Sequence, residues 1–223
     1  MSSRQLYCGR EPPATLPCQF RILDPAQSYT FSKYFELPYA PEDILADLDC
    51  TLVRTKLSLP QYIGTLARLT FLQAYLERNL NYVTPISEAS RREVLIAPTL
   101  LEVCDQTQTR LNIEYAIKVS DWLKGSLDYY IPAPGGLLVV EAKQADLAKG
   151  FVQLAAELIA LDQWVDLPNL ILRGAVTTGD IWKFGEFHRN QRQIVEDRTL
   201  YRIPEELEPL LRILIATVQG APN

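Results

Sequence analysis

The sequence predicts an α/β domain with a central mixed sheet, helices on both faces and an N-terminal helical elaboration. From residue 86 onwards, the hydrophobic pattern indicates a helix, three strands, a helix, two strands and a helix. A chain of 223 residues, 48% of them apolar, can bury the core of one large domain. We expect an N-terminal arm and helical elaboration over residues 1–85, the α/β core over 86–190, and a C-terminal helix packed on that core over 191–223.

The N-terminal region is expected to be mainly helical after an irregular, proline-rich segment over residues 1–27. Pro41 with Glu42 and Asp43 suits the first turn of a helix, because Pro fits the first helical position and acids favour a helix N-terminus. A second helix is predicted over residues 61–79, because apolar side chains recur there at helical spacing. These side chains are Ile63, Leu66, Leu69, Leu72 and Leu76.

Capping signals delimit the helices of the core. Ser87 is the predicted cap of a helix over residues 88–103, and Pro98 implies a kink or a break inside it. Asp146 is the predicted cap of a long helix over 147–164. The remaining predicted elements are a strand over 111–119, hairpin strands over 125–131 and 137–143, a strand pair over 170–177 and 181–187, and a closing helix over 204–218.

The predicted hairpin carries the chemistry of this chain, in Asp128, Glu141 and Lys143. If the hairpin is centred between Pro134 and Gly135, Asp128 and Glu141 lie directly opposite each other, with Cβ atoms roughly 5 Å apart. Two carboxylates at that distance repel each other unless a cation lies between them or one keeps its proton. Residues 137–140 are continuously apolar, as in a strand covered on both sides. The repulsion between two carboxylates at the end of such a buried strand would therefore cost folding free energy. A divalent cation between the two carboxylates would remove it.

The predicted ion is Mg²⁺ or Mn²⁺, because hard cations of this kind prefer oxygen ligands. Asp128 and Glu141 would supply carboxylates and Ala142 its backbone carbonyl, while Lys143 would orient or deprotonate an attacking water. The alternative interpretation is a solvated cross-strand pair of acids with an incidental Glu-Lys neighbour. A Glu-x-Lys sequence alone has little weight, but the opposed Asp, the apolar strand and the following helix favour a site.

Taken together, these segments resemble the restriction-endonuclease-like PD-(D/E)xK nucleases. The resemblance covers residues 86–187: a helix with Glu, a Gly-x-x-Asp strand, an apolar strand ending Glu-x-Lys, and a helix carrying Gln153. It implies an αβββαβ core and the divalent-metal-dependent hydrolysis of phosphodiester bonds in nucleic acid, DNA rather than RNA. The motif Pro before Asp is absent, since Ser126-Leu127 precede Asp128.

The resemblance also implies roles for individual residues. Asp128, Glu141 and Lys143 match the three motif positions, and Gln153 matches a helix glutamine that some members place near the metal or the substrate. The first-helix Glu is best matched by Glu88, with Glu93 and Glu102 as alternatives. The chain as a whole is most similar to cyanobacterial proteins, so the resemblance implies a chemistry but no substrate.

The composition of the chain argues against several other classes of function. A net charge of −5 argues against a protein that coats nucleic acid non-specifically. A single histidine, His188, and the lack of a Cys-x-x-Cys argue against zinc, and we expect the four cysteines to be thiols. With no apolar stretch of about 18 residues and no signal-peptide pattern, we expect a cytoplasmic protein without a membrane partner. The alternative function is a catalytically inactive nuclease-fold protein, a homo-oligomer acting as a regulatory or interaction module.

Overall fold

A computed structural model of the chain has a mixed α/β architecture, in which a mixed sheet is flanked by helices on both faces. The structure describes residues 22–134, 137–141, 146–165 and 170–220, and residues 137–141 by their backbone only. The predicted fold class is therefore confirmed at the level of a helix-flanked mixed sheet. No described helix is long and apolar enough to cross a membrane.

The helices of the described residues are α1 (Phe31–Glu36), α2 (Pro41–Asp47), α3 (Leu69–Tyr82), α4 (Glu88–Arg91), α5 (Ala97–Thr107), α6 (Leu147–Trp164) and α7 (Leu207–Gln219). A π-helical segment, Arg92–Ile96, joins α4 to α5. The strands are β1 (Thr51–Thr55), β2 (Asn112–Lys118), β3 (Lys124–Ile131), β4 (Leu137–Glu141), β5 (Ile171–Thr177), β6 (Ile181–His188), β7 (Gln193–Asp197) and β8 (Tyr201–Arg202).

Among the described residues the strands form one sheet in the order β1-β7-β6-β5-β4-β3-β2, and β8 pairs with β6. β1 is parallel to β7 and β4 is parallel to β5, while the other neighbours are antiparallel. The parallel pair β4–β5 is connected through α6, as parallel strands require a crossover. β1 belongs to this sheet although it precedes the predicted core.

Buried side chains form one cluster on each face of the sheet. One face, the α6 face, packs against α1, α2 and α6, through residues such as Phe31, Leu45 and Phe151. The other, the α7 face, packs against α3, α5 and α7, through residues such as Leu76 and Leu214. Burial of these apolar side chains is the main force that holds the helices to the sheet.

The predicted caps of the helices are present. Pro41 is the first residue of α2. The side-chain oxygen of Ser87 accepts a hydrogen bond of 3.1 Å from the backbone amide of Ser90. Asp146 Oδ1 accepts hydrogen bonds of 3.1 Å from two amides in the first turn of α6. These bonds satisfy amides that have no partner within a helix.

The helix predicted over residues 61–79 is wrong in its first half, because α3 begins only at Leu69. The segment before it is held to α7 instead. Arg212 donates to the carbonyl oxygens of Tyr62 (2.7 Å) and Gly64 (3.1 Å), and its own carbonyl accepts from the Tyr62 amide. These long-range bonds replace the carbonyl and amide partners that a local helix would offer.

The break predicted at Pro98 is present as the π-helical segment that precedes it. Proline has no amide hydrogen, so residue 98 cannot bond the carbonyl four positions earlier, that of Val94. The Asn79 side chain donates to this carbonyl at 3.3 Å. The π-helical turn carries Arg92 and Glu93, so its geometry determines where these side chains lie.

Candidate active site

The β3–β4 hairpin has a register one residue away from the prediction. Tyr129 pairs with Val139, and Ile131 pairs with Leu137, whereas the predicted centre would place Tyr129 opposite Val140. The prediction that Asp128 lies directly opposite Glu141 is therefore wrong. Residues 132–136 connect the last pair, and a loop of this length does not impose one register as a two-residue turn does.

Asp128 lies at a break in the regular alternation of β3. Leu127 packs in the α6-face cluster and Tyr129 in the α7-face cluster, although residues two apart on a regular strand share a face. The pairs between β2 and β3 run Ile113–Tyr129 and then Tyr115–Leu127, and the position between them is Glu114 with Asp128. Glu114 has φ +53°, which is uncommon outside glycine. Both strands are thus distorted where Asp128 is placed.

Arg92 reaches this break from the π-helical segment. Its Nε donates to the Tyr129 hydroxyl at 3.1 Å, and its Nη1 donates to Glu114 Oε1 at 3.0 Å. Its guanidinium carbon lies 5.2 Å from the centre of the Tyr129 ring, in cation–π range. Burial opposes the charge of Arg92, but the Tyr129 hydroxyl, Glu114 and Asp128 together raise its pKa. The cation of Arg92 therefore acts on the Asp128 carboxylate.

Glu157, on α6, feels the charge of the same carboxylate, and Gln153 is bonded to Glu157. Both are buried, with 2% and 0% of their surface exposed, and Gln153 Nε2 donates to Glu157 Oε1 at 2.9 Å. Burial and the charge of Asp128 raise the pKa of Glu157 well above its usual value, against the hydrogen bond from Gln153, which lowers it. Within the described part of the chain, Gln153 Oε1 and Glu157 Oε2 have no hydrogen-bond partner.

Gln153 therefore lies beside Glu157 in a buried position rather than as a solvated residue at the helix start. Glu157 was missed by sequence reasoning. The sequence could have indicated Glu157, because a residue four positions after Gln153 lies on the same side of a helix as Gln153. Within the apolar sequence around it, a glutamate stands out as a candidate buried acid.

The candidates for the first-helix Glu separate in space. Glu88 and Glu93 line an open cleft of about 430 Å³ together with Ala89 and Arg92. Glu102 lies on α5, where its carboxylate is 3.5 Å from Arg68, and it lines a different cleft that contains Phe71. Glu88 and Glu93 are thus neighbours of Arg92, and Glu102 is not among the residues that line that cleft.

The remaining predicted residues follow in the chain after β4. Glu141 is the last residue of β4, and its backbone is paired with Thr177 of β5. The side chain of Glu141 lies outside the described part of the structure, and so do the whole of Ala142 and Lys143. In the ranges that are described, no cluster of three His, Cys, Asp or Glu side chains is close enough to hold a metal ion.

The donor set near Asp128 nevertheless suits a hard cation. It comprises a carboxylate at a strand break and two buried oxygens, on Gln153 and Glu157, that lack hydrogen-bond donors among the described residues. Mg²⁺ and Mn²⁺ take carboxylate and amide oxygens of this kind. The residues present therefore fit the predicted ion.

In comparisons with known proteins, no family model, no curated protein and no solved structure matches the chain.

Proposed function

We propose that this chain is a divalent-metal-dependent nuclease that hydrolyses phosphodiester bonds in nucleic acid, with DNA as the preferred class. One observation carries the proposal: at the break in β3 that holds Asp128, Arg92 bonds Tyr129 and Glu114, and on α6 the buried pair Gln153–Glu157 has two oxygens without hydrogen bonds among the described residues. Opposed charges and a buried acid of shifted pKa, next to an open cleft, are typical of catalytic sites.

The order of elements around this carboxylate supports the same proposal. The helical stretch from α4 to α5 is followed by β2, β3, β4, then α6, then β5. This is the αβββαβ order that a PD-(D/E)xK nuclease core requires, and Asp128 lies on its second strand, Glu141 at the end of its third and Gln153 on its second helix.

In the proposed reaction each residue has a distinct task. A divalent cation supplies a Lewis acid and a water of lowered pKa. Asp128 and Glu141 hold it, with the carbonyl of Ala142, and Lys143 orients the attacking water. Arg92 contributes positive charge next to the acidic cleft, which offsets the charge of a phosphodiester. Glu88 and Gln153 support this arrangement from the two helices.

Cleavage of end-labelled single-stranded and double-stranded DNA and RNA tests the proposal. We expect cleavage with Mg²⁺ or Mn²⁺, none with EDTA, and a loss of about a hundredfold or more in Asp128→Asn, which keeps the shape but removes the charge. Asp121→Asn is the matched control, because Asp121 lies in the exposed β2–β3 turn and pairs only with Lys124 among the described residues. Cleavage that survives Asp128→Asn overturns the proposed role.

A second candidate is the catalytically inactive nuclease fold that acts as a regulatory or interaction module. The observed register of β3 and β4 favours it, because Asp128 and Glu141 are not directly opposed as a simple two-carboxylate site would have them. This candidate predicts no cleavage under any metal condition, unchanged by Asp128→Asn. It also predicts a homo-oligomer, which sedimentation velocity would detect.

A further inference from the structure

We propose that Glu157 is a ligand of the divalent cation, contributed by α6 together with the side-chain oxygen of Gln153. The inference rests on the proposed cation site at Asp128 and extends its ligands to a helix position outside the motif. It assigns the buried pair Gln153–Glu157 to the metal rather than to the structural core.

The first argument is the burial of Glu157. Its side chain has no exposed surface, and among the described residues it forms no ion pair. A carboxylate in such a place is strongly disfavoured unless its charge is neutralised. The charge of Asp128 increases the penalty, since a second negative group acts on the same carboxyl. The position therefore requires a proton or a cation.

The second argument concerns two buried oxygens of this pair. Gln153 Oε1 and Glu157 Oε2 both lack a hydrogen-bond partner in the part of the chain that is described. A protonated Glu157 Oε2 can donate to Gln153 Oε1, so a proton would satisfy this pair by itself; a cation would satisfy it and would also bind the Asp128 carboxylate, as the proposed site requires. One cation between the two groups would satisfy both oxygens. Two buried acceptor oxygens, together with a second carboxylate whose charge acts on them, that of Asp128, suit a hard cation.

The third argument is that α6 holds both oxygens in place. The helix is capped by Asp146, and Gln153 and Glu157 lie one turn apart on one side of it. Their orientation is linked by the 2.9 Å hydrogen bond between Gln153 Nε2 and Glu157 Oε1. Ligands that are fixed before binding lose little conformational entropy when the ion arrives.

Mn²⁺ titration of the full-length protein, without nucleic acid, tests this assignment. The readouts are calorimetric affinity and the rise in melting temperature with Mn²⁺. We expect Glu157→Gln to weaken Mn²⁺ binding at least tenfold and to reduce the Mn²⁺-dependent rise. Glu77→Gln, on the exposed side of α3, is the matched control and should bind Mn²⁺ as the original chain does.

Crystals of the original chain soaked in Mn²⁺ provide a measurement that does not depend on how the variant folds. An anomalous peak within coordination distance of Glu157 supports the assignment. A peak bound by Asp128 but out of reach of Glu157, unchanged affinity in Glu157→Gln, or no Mn²⁺ binding at all would each overturn it.

The inference and the proposed function can fail separately. If Mn²⁺ binding depends on Glu157 but no nucleic acid is cleaved, the ligand assignment stands and the nuclease proposal falls. If cleavage depends on Asp128 while Mn²⁺ affinity is unchanged in Glu157→Gln, the nuclease proposal stands and the ligand assignment falls.

Discussion

The side chain of Asn79 donates a hydrogen bond of 3.3 Å to the carbonyl oxygen of Val94, across the interface between α3 and the π-helical segment. In a regular α-helix this carbonyl would accept from the amide of residue 98, which is a proline and has none. A residue on a neighbouring helix thus stabilises the irregular turn that carries Arg92 to Tyr129. The packing of α3 is in this way linked to the candidate site.

Replacing Asn79 by Ala should destabilise the protein by about 1 kcal/mol, because the Val94 carbonyl loses its donor. The same replacement should cost less in a Pro98→Ala background, where residue 98 regains an amide that can bond Val94. Urea denaturation of the two single variants and the double variant measures this coupling. Equal costs of Asn79→Ala in both backgrounds would show that the bond does not compensate for the proline.

Arg92 and Tyr129 should be energetically coupled, because the Arg92 guanidinium both donates to the hydroxyl of Tyr129 and lies over its ring. Arg92→Ala should destabilise the fold by about 1–3 kcal/mol, and Tyr129→Phe by about 1 kcal/mol. The double variant should lose less stability than the sum of the two single losses, by roughly 0.5 kcal/mol or more. Chemical denaturation at one pH gives the four stabilities, and strict additivity would argue against the contact.

The contribution of Glu157 to the stability of the metal-free protein should decrease as the pH rises above the pKa of glutamate in the unfolded chain, about 4.3. Burial and Asp128 raise the pKa of Glu157 in the folded state, so the folded protein binds the proton more tightly than the unfolded chain does. Its stabilising contribution is complete below the unfolded pKa and is lost as the pH rises through the folded pKa. The limiting slope for one proton is about 1.4 kcal/mol per pH unit.

Glu157→Gln should remove this part of the pH dependence. The test is the difference in unfolding free energy between the two proteins, measured in EDTA from pH 5 to pH 8. Glu102, whose pKa is also raised by burial, is present in both proteins and cancels in the difference. A difference that stays constant over this range would mean that Glu157 does not hold its proton more tightly in the folded state.

Gly185→Ala should destabilise the protein by about 1–3 kcal/mol, because α6 lies too close to β6 for a side chain. A Cβ atom at position 185 would lie 2.6 Å from Cε2 of Phe151, and something would have to move. Displacement of α6 would also shift Gln153 and Glu157, so Mn²⁺ affinity should fall as well. Phe151→Leu removes the ring, so the double variant Gly185→Ala/Phe151→Leu should recover part of the melting temperature that Gly185→Ala loses. If it recovers none, the clash with Phe151 is not the cause of the loss.

Local signals in the sequence were sufficient for several elements. Ser87 and Asp146 cap helices where predicted, and the whole of α6 agrees with its predicted bounds. Each depends on a capping side chain and an amphipathic or apolar run, both of which lie within a few residues. β1 and β7 were missed, because Thr51–Thr55 and Gln193–Asp197 are short, carry charged residues and owe their strand conformation to each other.

In the candidate site, too, local sequence signals identified some residues, whereas others depend on tertiary packing. Asp128 and Gln153 were named from their positions in a strand and a helix, and the structure places Gln153 beside the buried Glu157, on which the charge of Asp128 acts. Glu157 and Arg92 were not named, because their proximity to Asp128 depends on how α6 and the π-helical turn pack on the sheet. The register of β3 and β4 also escaped prediction, since apolar residues on both faces of β4 give no alternation to fix it.

The parallel pairing of β1 with β7 has a consequence for biogenesis. Arg54 of β1 bonds Glu196 of β7 across 142 residues, so among the described strands β1 pairs only with one that is far along the chain. On a ribosome, Thr51–Thr55 would emerge long before that neighbour is made. Such distant pairing folds slowly and leaves a bare strand edge exposed to other chains, which makes this the step where a chaperone would help most.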